Sequence, residues 1–147
     1  MFDFFAEAEN LEKITPPSLR FSIMTPVPVE MRSGALIEYR MKLNGIPFRW
    51  TTEIAEWKPH STRADPKSNA SFTDMQLKGL YHTWVHRYLF TAIVDKYAGT
   101  SLATHMVDEV RYRLPLWPLG SVALPLVRRE LRRIFVHRMR ALNNAFA

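Results

Sequence analysis

An alternation of apolar and polar side chains on both sides of Asn44-Gly45 constrains the fold of this chain more than any other feature. After Gly34, apolar residues fall at every second position, which is the period of a half-buried β-strand. Asn-Gly is the strongest short-range hairpin signal, because both residues tolerate the positive φ angles of a type I′ turn. The returning segment, residues 48–57, alternates in the same way. The sequence therefore predicts an antiparallel hairpin here.

The same period of two predicts further strands along the chain. Residues 72–78 form one strand and lead into Gly79, and residues 83–91 and 101–114 form two more. Residues 21–24 can form a short edge strand, because prolines follow at once. Residues 59–70 are polar and rich in turn formers, which predicts a loop, and another turn is expected around 95–100.

Helical spacing marks both ends of the chain. Near the start, two short helices that break around Asn10 can turn one apolar side inward, formed by Phe2, Phe5, Leu11 and Ile14. Near the end, apolar residues recur at threes and fours, which predicts an amphipathic helix of about twenty-five residues. Those residues are Leu119, Val122, Ala123, Leu126, Leu131, Ile134, Phe135, Met139 and Leu142. Pro125 should kink this helix or mark its start.

These elements predict an α+β protein. An antiparallel sheet with a single apolar face needs a covering layer, and the long C-terminal helix is the only predicted element large enough. A chain of 147 residues fits one domain, residues 1–147, and its 47% hydrophobic and 23% charged residues are typical of a globular chain. A curved sheet around one helix can enclose space that side chains do not fill.

Composition excludes several function classes. The absence of cysteine excludes disulfides, thiolate metal sites and a cysteine nucleophile. The five histidines lack metal-ligand spacing, and no phosphate-cradling loop, nucleophile elbow or dinucleotide fingerprint is present, so we expect neither metal nor cofactor. No leader and no apolar run long enough to span a bilayer is recognisable, which favours a cytoplasmic protein.

The formal net charge is +6, and much of the excess lies in the predicted C-terminal helix. The arginines concerned are Arg128, Arg129, Arg132, Arg133, Arg138 and Arg140. Such a cluster can contact phosphate or an anionic membrane surface, or it can simply be the solvated face of a helix. Because exposed aromatic residues are not interleaved with it, we do not expect nucleic acid as a partner.

Six segments, spread over nearly the whole chain, carry a resemblance to a known family. The segments are Phe2-Asp3-Phe4-Phe5, Asn10-Leu11, Ile14-Thr15-Pro16-Pro17, Gly34-Ala35-Leu36-Ile37-Glu38-Tyr39, Gly45-Ile46-Pro47-Phe48-Arg49-Trp50 and Asp108-Glu109-Val110-Arg111-Tyr112-Arg113-Leu114-Pro115. With these segments in the correct order, the chain resembles the SRPBCC superfamily of START-like, helix-grip proteins. This group includes polyketide cyclase-like proteins and coenzyme Q-binding proteins, and some bacterial relatives are labelled cell-division inhibitors. The resemblance implies a single START-like ligand-binding domain with a hydrophobic cavity between sheet and helix.

The chain departs from that pattern in two places. The family usually begins with a strand before the first helix, whereas Met1 already stands at the helix here. A missing strand would leave a sheet edge unpaired, which favours pairing with another chain, so a monomer or a homodimer is expected. The loop from His60 to Ala70 is also longer than usual.

Inward faces of the predicted strands and helix define the candidate ligand site. Its expected lining residues are Tyr39, Met41, Trp50, Ile54, Trp84, His86, Tyr88, Met106, Asp108, Tyr112, Leu126, Ile134 and Phe135. Large aromatic residues and methionine make an apolar, adaptable wall, although the same side chains can equally fill a dry core. Asp108 is the most informative of them, because burying an unpaired carboxylate on an apolar face is costly. Asp108 must therefore be paired with another group, protonated, or in contact with water in a cavity. A slip of one residue would place Glu109 inside instead.

Three functions remain open from sequence. The first is a non-enzymatic binder or carrier of a small lipid-like or polycyclic ligand. The second is a cyclase or dehydratase that uses His86 and Asp108 as catalytic groups. The third is an interaction protein whose arginine face docks weakly on an anionic membrane surface.

Overall fold

The computed structural model describes residues 1–60, 69–94, 97, 101–116 and 119–146. The helices are α1 (Phe2–Phe5), α2 (Asn10–Ile14) and α3 (Leu124–Phe146), with 3-10 turns at Pro17–Leu19 and Leu119–Ala123. The strands are β1 (Ser22–Ile23), β2 (Leu36–Leu43), β3 (Ile46–Lys58), β4 (Ala70–Lys78), β5 (Thr83–Val94) and β6 (Ser101–Arg113). The predicted α+β class, with two short helices, a curved antiparallel sheet and a long final helix, is confirmed. Most of the predicted loop after Pro59 and of the turn around 95–100 lies outside the described residues.

The six strands form one antiparallel sheet in which neighbours along the sheet are also neighbours along the chain. The predicted hairpin joins β2 to β3, where Asn44 and Gly45 take φ angles of 50° and 83°. Its register pairs Tyr39 with Trp50. Strand β6 forms one edge of the sheet, and no described strand lies on its outer side.

The concave face of the sheet carries the apolar side chains, as the period of two predicts. Along β5, for example, His86, Tyr88 and Phe90 are buried whereas Arg87 and Thr91 are exposed. Two buried clusters cover this face. The first contains Phe2, Phe5, Ile14, Ala70, Phe72, Tyr88, Phe90 and Leu142, and the second contains Ala8, Ala35, Ile37, Tyr39, Trp50 and Ile54.

Helices α1 and α2 close one end of the core. The buried side chain of Asn10 ties them together, since its Nδ2 donates to the carbonyl of Phe4 at 2.9 Å and to Glu7 Oε2 at 3.0 Å. Phe2 and Phe5 insert into the first cluster. The chain then leaves α2 at Thr15, because the prolines that follow disfavour helix.

Helix α3 lies across the concave face and begins at Leu124, with Pro125 at its second position, where proline is tolerated because the first amides have no helical partner. Pro125 thus marks the start of the helix. The predicted apolar stripe is only partly turned inward: Val122 lies in the preceding turn and is 81% exposed, and Leu126 and Met139 are 65% and 55% exposed. No described helix is apolar over a length sufficient to span a bilayer.

Candidate functional site

A cavity of about 160 Å³ lies between the concave face of the sheet and α3, and it is partly open to solvent. Strands β2 to β5 form its floor and one wall, α3 covers it, and α2 with the turn that follows closes one side. The cavity exists because the strongly curved sheet and a single helix leave more volume between them than their side chains fill.

Aromatic rings make up most of one wall. The indole rings of Trp50 and Trp84 meet edge to face at 5.4 Å between centroids, and the Tyr81 ring lies 4.7 Å from that of Trp84. Such edge-to-face and tilted contacts are the favoured arrangements of aromatic pairs, so the rings hold one another in place. The wall is therefore largely apolar, and its rings are packed against one another.

A polar cluster adjoins this wall and forms the polar end of the cavity, since the His86 ring meets the Trp84 indole edge to face at 6.1 Å between centroids. His86 Nε2 forms a short hydrogen bond with Asp108 Oδ1, and His86 Nδ1 lies 2.9 Å from the hydroxyl oxygen of Tyr88. Strand register explains this grouping: Tyr88 pairs directly with Asp108 across β5 and β6, and His86 is its same-face neighbour. Arg138 of α3 completes the cluster, with Nη1 at 3.4 Å from Asp108 Oδ2. The Arg138 side chain is 13% exposed.

Asp108 is ionised in this environment. Burial by itself would raise its pKa, but the hydrogen bond from His86 and the charges of His86 and Arg138 outweigh burial and lower the pKa. Arg138 is likewise held in its charged form: burial would lower its pKa, but Tyr88, Asp108 and Asp74 raise it. The pair therefore carries full charges beneath the helix.

A second carboxyl group, that of Asp74, faces the cavity itself. It stands directly across from His86 in the β4–β5 register, with Oδ2 at 3.9 Å from His86 Nδ1 and Oδ1 at 3.3 Å from Thr52 Oγ1. Burial raises the pKa of Asp74, and the opposing effects of His86, Arg138 and Thr52 do not offset it. Asp74 is thus the one acid of this cluster whose neutral form the fold favours.

Two tyrosine hydroxyls complete the polar end. Burial raises the pKa of Tyr39 and of Tyr88, and the nearby Asp74 raises both further. Their phenols stay protonated over the physiological range, so they act as neutral hydrogen-bond donors and acceptors. A ligand that enters the cavity therefore meets an aromatic wall and, next to it, the hydroxyl and carboxyl groups of the polar cluster.

The structure brings most of the predicted site residues to this cavity. Those that line it are Tyr39, Met41, Trp50, Trp84, His86, Tyr88, Ile134 and Phe135. Asp108 and Tyr112 instead line a second, more open depression of about 240 Å³ between β6 and α3. The predicted strand phase of β6 is confirmed, because Asp108 points inward.

Three predicted positions lie elsewhere. Ile54 is 2% exposed and belongs to the core, and Met106 packs against the first buried cluster. Leu126 is 65% exposed, because the inner side of α3 passes through Leu131, Ile134 and Phe135, and Leu126 falls on the opposite side.

Sequence reasoning missed Asp74 and Arg138, although a signal existed for each. Asp74 follows the buried Phe72 by two residues in a strand, so it shares the inward face. Arg138 follows Ile134 by four residues and precedes Leu142 by four, so it falls on the inner stripe of α3. The interpretation of the six arginines as one cluster is therefore wrong for Arg138, which lies inside.

His86 is held within the polar cluster through both of its ring nitrogens. One nitrogen contacts the Asp108 carboxyl group and the other contacts the Tyr88 hydroxyl, so a proton passed from a ligand to His86 would have to travel by way of Tyr88. In the described part of the chain, no three metal-ligating side chains converge on one point. Asp74 and Asp108 approach the imidazole through different nitrogens and cannot share an ion with it.

Fold and site together define an α+β protein in which a curved antiparallel sheet grips a C-terminal helix around a partly open cavity. Comparison with protein-family models, with curated proteins and with solved structures finds no match in any of the three.

Proposed function

We propose that this chain is a START-like protein of the SRPBCC type that binds or carries a small hydrophobic ligand in the cavity beneath α3. One observation carries the proposal: a space of about 160 Å³ remains between an aromatic wall and the helix. An engineered cavity of roughly 150 Å³ in another protein stays dry and binds benzene, so this volume admits a body of about one aromatic ring. Because the cavity is partly open, a longer ligand can extend through its mouth.

The polar end supports an amphipathic ligand rather than a pure hydrocarbon. Asp74 and Tyr39 face the same space, and burial raises the pKa of both groups. A hydroxyl, carbonyl or amide group on the ligand can exchange hydrogen bonds with them, whereas a purely apolar ligand would leave buried polar groups without partners. The expected ligand therefore has an apolar ring or chain and one uncharged polar group.

The alternative function is that of a cyclase or dehydratase that uses His86 and Asp108, and one observation supports it. A carboxyl group with a raised pKa beside a cavity, as in Asp74, is typical of general acids. Binding is better supported, because Asp108 lines the second depression rather than the cavity and is paired with Arg138. Substituting Asp108→Asn separates the two functions: turnover would fall by orders of magnitude, whereas binding would weaken only modestly.

Native mass spectrometry of the protein purified from its own host, together with titration of the neutral probe N-phenyl-1-naphthylamine, tests the proposal. We expect a bound apolar molecule in the spectrum and saturable probe fluorescence. Ile134→Trp fills the cavity from α3 and should weaken probe binding at least tenfold. Leu126→Trp adds the same ring on the exposed side of the same helix and should bind as the wild type does. Equal probe binding by both variants, or no binding by the wild type, would contradict the proposal.

A further inference from the structure

The outer side of α3 carries a stripe of arginine and apolar residues that the cavity does not use. Leu126, Arg129, Arg133, Val136 and Arg140 follow one another at alternating spacings of three and four, so they lie along one line of the helix. All of them except the half-buried Val136 are exposed. The stripe is about 21 Å long at 1.5 Å per residue.

Positive charge on this side is barely compensated. Glu130 is the only acid in α3, and it accepts a bond from Arg133 at 2.5 Å. Within the part of the chain that the structure describes, Arg129, Arg132 and Arg140 make no salt bridge. Such a face attracts a surface of negative charge.

Exposed apolar side chains accompany the arginines. Leu126, Met139 and Val122 are 65%, 55% and 81% exposed, and Leu116 in the segment before α3 is 77% exposed. A folded chain gains nothing by holding these side chains in water, and their position beside arginine is the pattern of helices that lie in a membrane interface.

We propose that the outer face of α3, defined by Leu126, Arg129, Arg132, Arg133, Met139 and Arg140, docks on an anionic lipid surface. The arginines contact lipid phosphates, and Leu126 and Met139 enter the boundary between headgroups and acyl chains. Charge complementarity selects the partner, and the apolar side chains favour a bilayer over nucleic acid, whose backbone offers them nothing to bury against. Because the inner side of this helix covers the cavity, docking would bring the cavity to the membrane.

Vesicle sedimentation tests this proposal with the full chain. We expect binding to vesicles of phosphatidylglycerol and phosphatidylcholine at 50 mM NaCl, little binding to pure phosphatidylcholine, and at least a tenfold loss at 500 mM NaCl, because salt screens exposed charges. The variant Arg129→Glu/Arg132→Glu/Arg140→Glu should lose binding at least tenfold. Leu126→Ser/Met139→Ser should lose severalfold while the salt dependence is kept.

The matched control is Arg40→Glu/Arg49→Glu/Arg87→Glu, which makes the same change in net charge on exposed positions of the sheet. It should retain most of the vesicle binding. Equal losses in the two triple variants would mean that only net charge matters and would overturn the proposal, as would equal binding to neutral vesicles. Tighter binding to a duplex RNA than to anionic vesicles at the same salt would also overturn it. Probe binding in the cavity is measured separately, so the two proposals can fail independently.

Discussion

Arg138 Nη1 on α3 lies 3.4 Å from Asp108 Oδ2 on β6, the last strand of the sheet. The guanidinium also lies 3.5 Å from the Tyr88 hydroxyl and 5.4 Å from the centre of the Phe135 ring. This one side chain therefore joins the covering helix to two strands, at the point where the cavity and the second depression come together. Its Nε atom has no hydrogen-bond partner among the described residues.

Removing one partner of the Arg138–Asp108 ion pair should lower the free energy of unfolding. Arg138→Met leaves the buried carboxylate of Asp108 with His86 alone, and removing one partner of a buried pair typically costs about 3–5 kcal/mol. Urea unfolding measures the change. The double variant Arg138→Met/Asp108→Leu removes both charges and should recover part of the loss. A loss below about 1 kcal/mol in the single variant would show that the pair does not fix the helix.

Asp74 and Asp108 should impose opposite pH dependences on stability. Folding lowers the pKa of Asp108, so its ionised form stabilises the fold. This contribution to the free energy of unfolding is fully present above the unfolded pKa of about 3.9 and is lost as the pH falls through the folded pKa. Folding raises the pKa of Asp74, so ionisation of this carboxyl group destabilises the fold. Its effect on the free energy of unfolding therefore becomes less favourable as the pH rises from the unfolded pKa of about 3.9 through the folded pKa.

Asp74→Asn should therefore stabilise the fold at neutral pH. The amide imitates the neutral carboxyl group and can still accept a bond from Thr52, so we expect a gain of about 1 kcal/mol, the usual scale of a point substitution. Chemical denaturation between pH 4 and pH 8 provides the measurement, and the difference from wild type should shrink towards acid pH. A variant less stable than wild type at pH 7 would contradict this assignment.

Gly79→Ala should distort the aromatic wall of the cavity. An added Cβ would lie 2.5 Å from Gln76 Oε1 and 2.9 Å from the Trp50 ring. Gln76 cannot yield easily, because its amide bonds twice to the backbone of Tyr81, at 2.6 and 3.2 Å. We expect a loss of about 1–3 kcal/mol in unfolding free energy and weaker binding of N-phenyl-1-naphthylamine.

Gly34→Ala is the control for this substitution. A Cβ there meets nothing within 4 Å, but the φ of 83° strains any side chain, at a cost of about 1–2 kcal/mol. Stability should fall in both variants, whereas probe binding should fall only for Gly79→Ala. Probe binding that drops equally in both would indicate a general loss of structure.

The strands and their phases could be predicted from sequence because their period of two is strict. Asp108, flanked by Met106 and Val110, could be placed inside on that basis alone. The sides of α3 could not be assigned in full, since arginine occurs on both. The spacing from Ile134 and Leu142 indicates the inner side for Arg138, but no local pattern reveals that Asp108 and Tyr88 on distant strands lie opposite it.

Neighbours along the sheet are neighbours along the chain, so each strand pairing can form as soon as its second strand has left the ribosome, with only the connecting loop to close. Helix α3 follows every strand and is made last. Until it is made, the apolar floor of the sheet is uncovered, and uncovered apolar surface favours association with other chains. Nascent chains stalled before Leu124 should therefore bind an apolar dye more strongly than the released protein does.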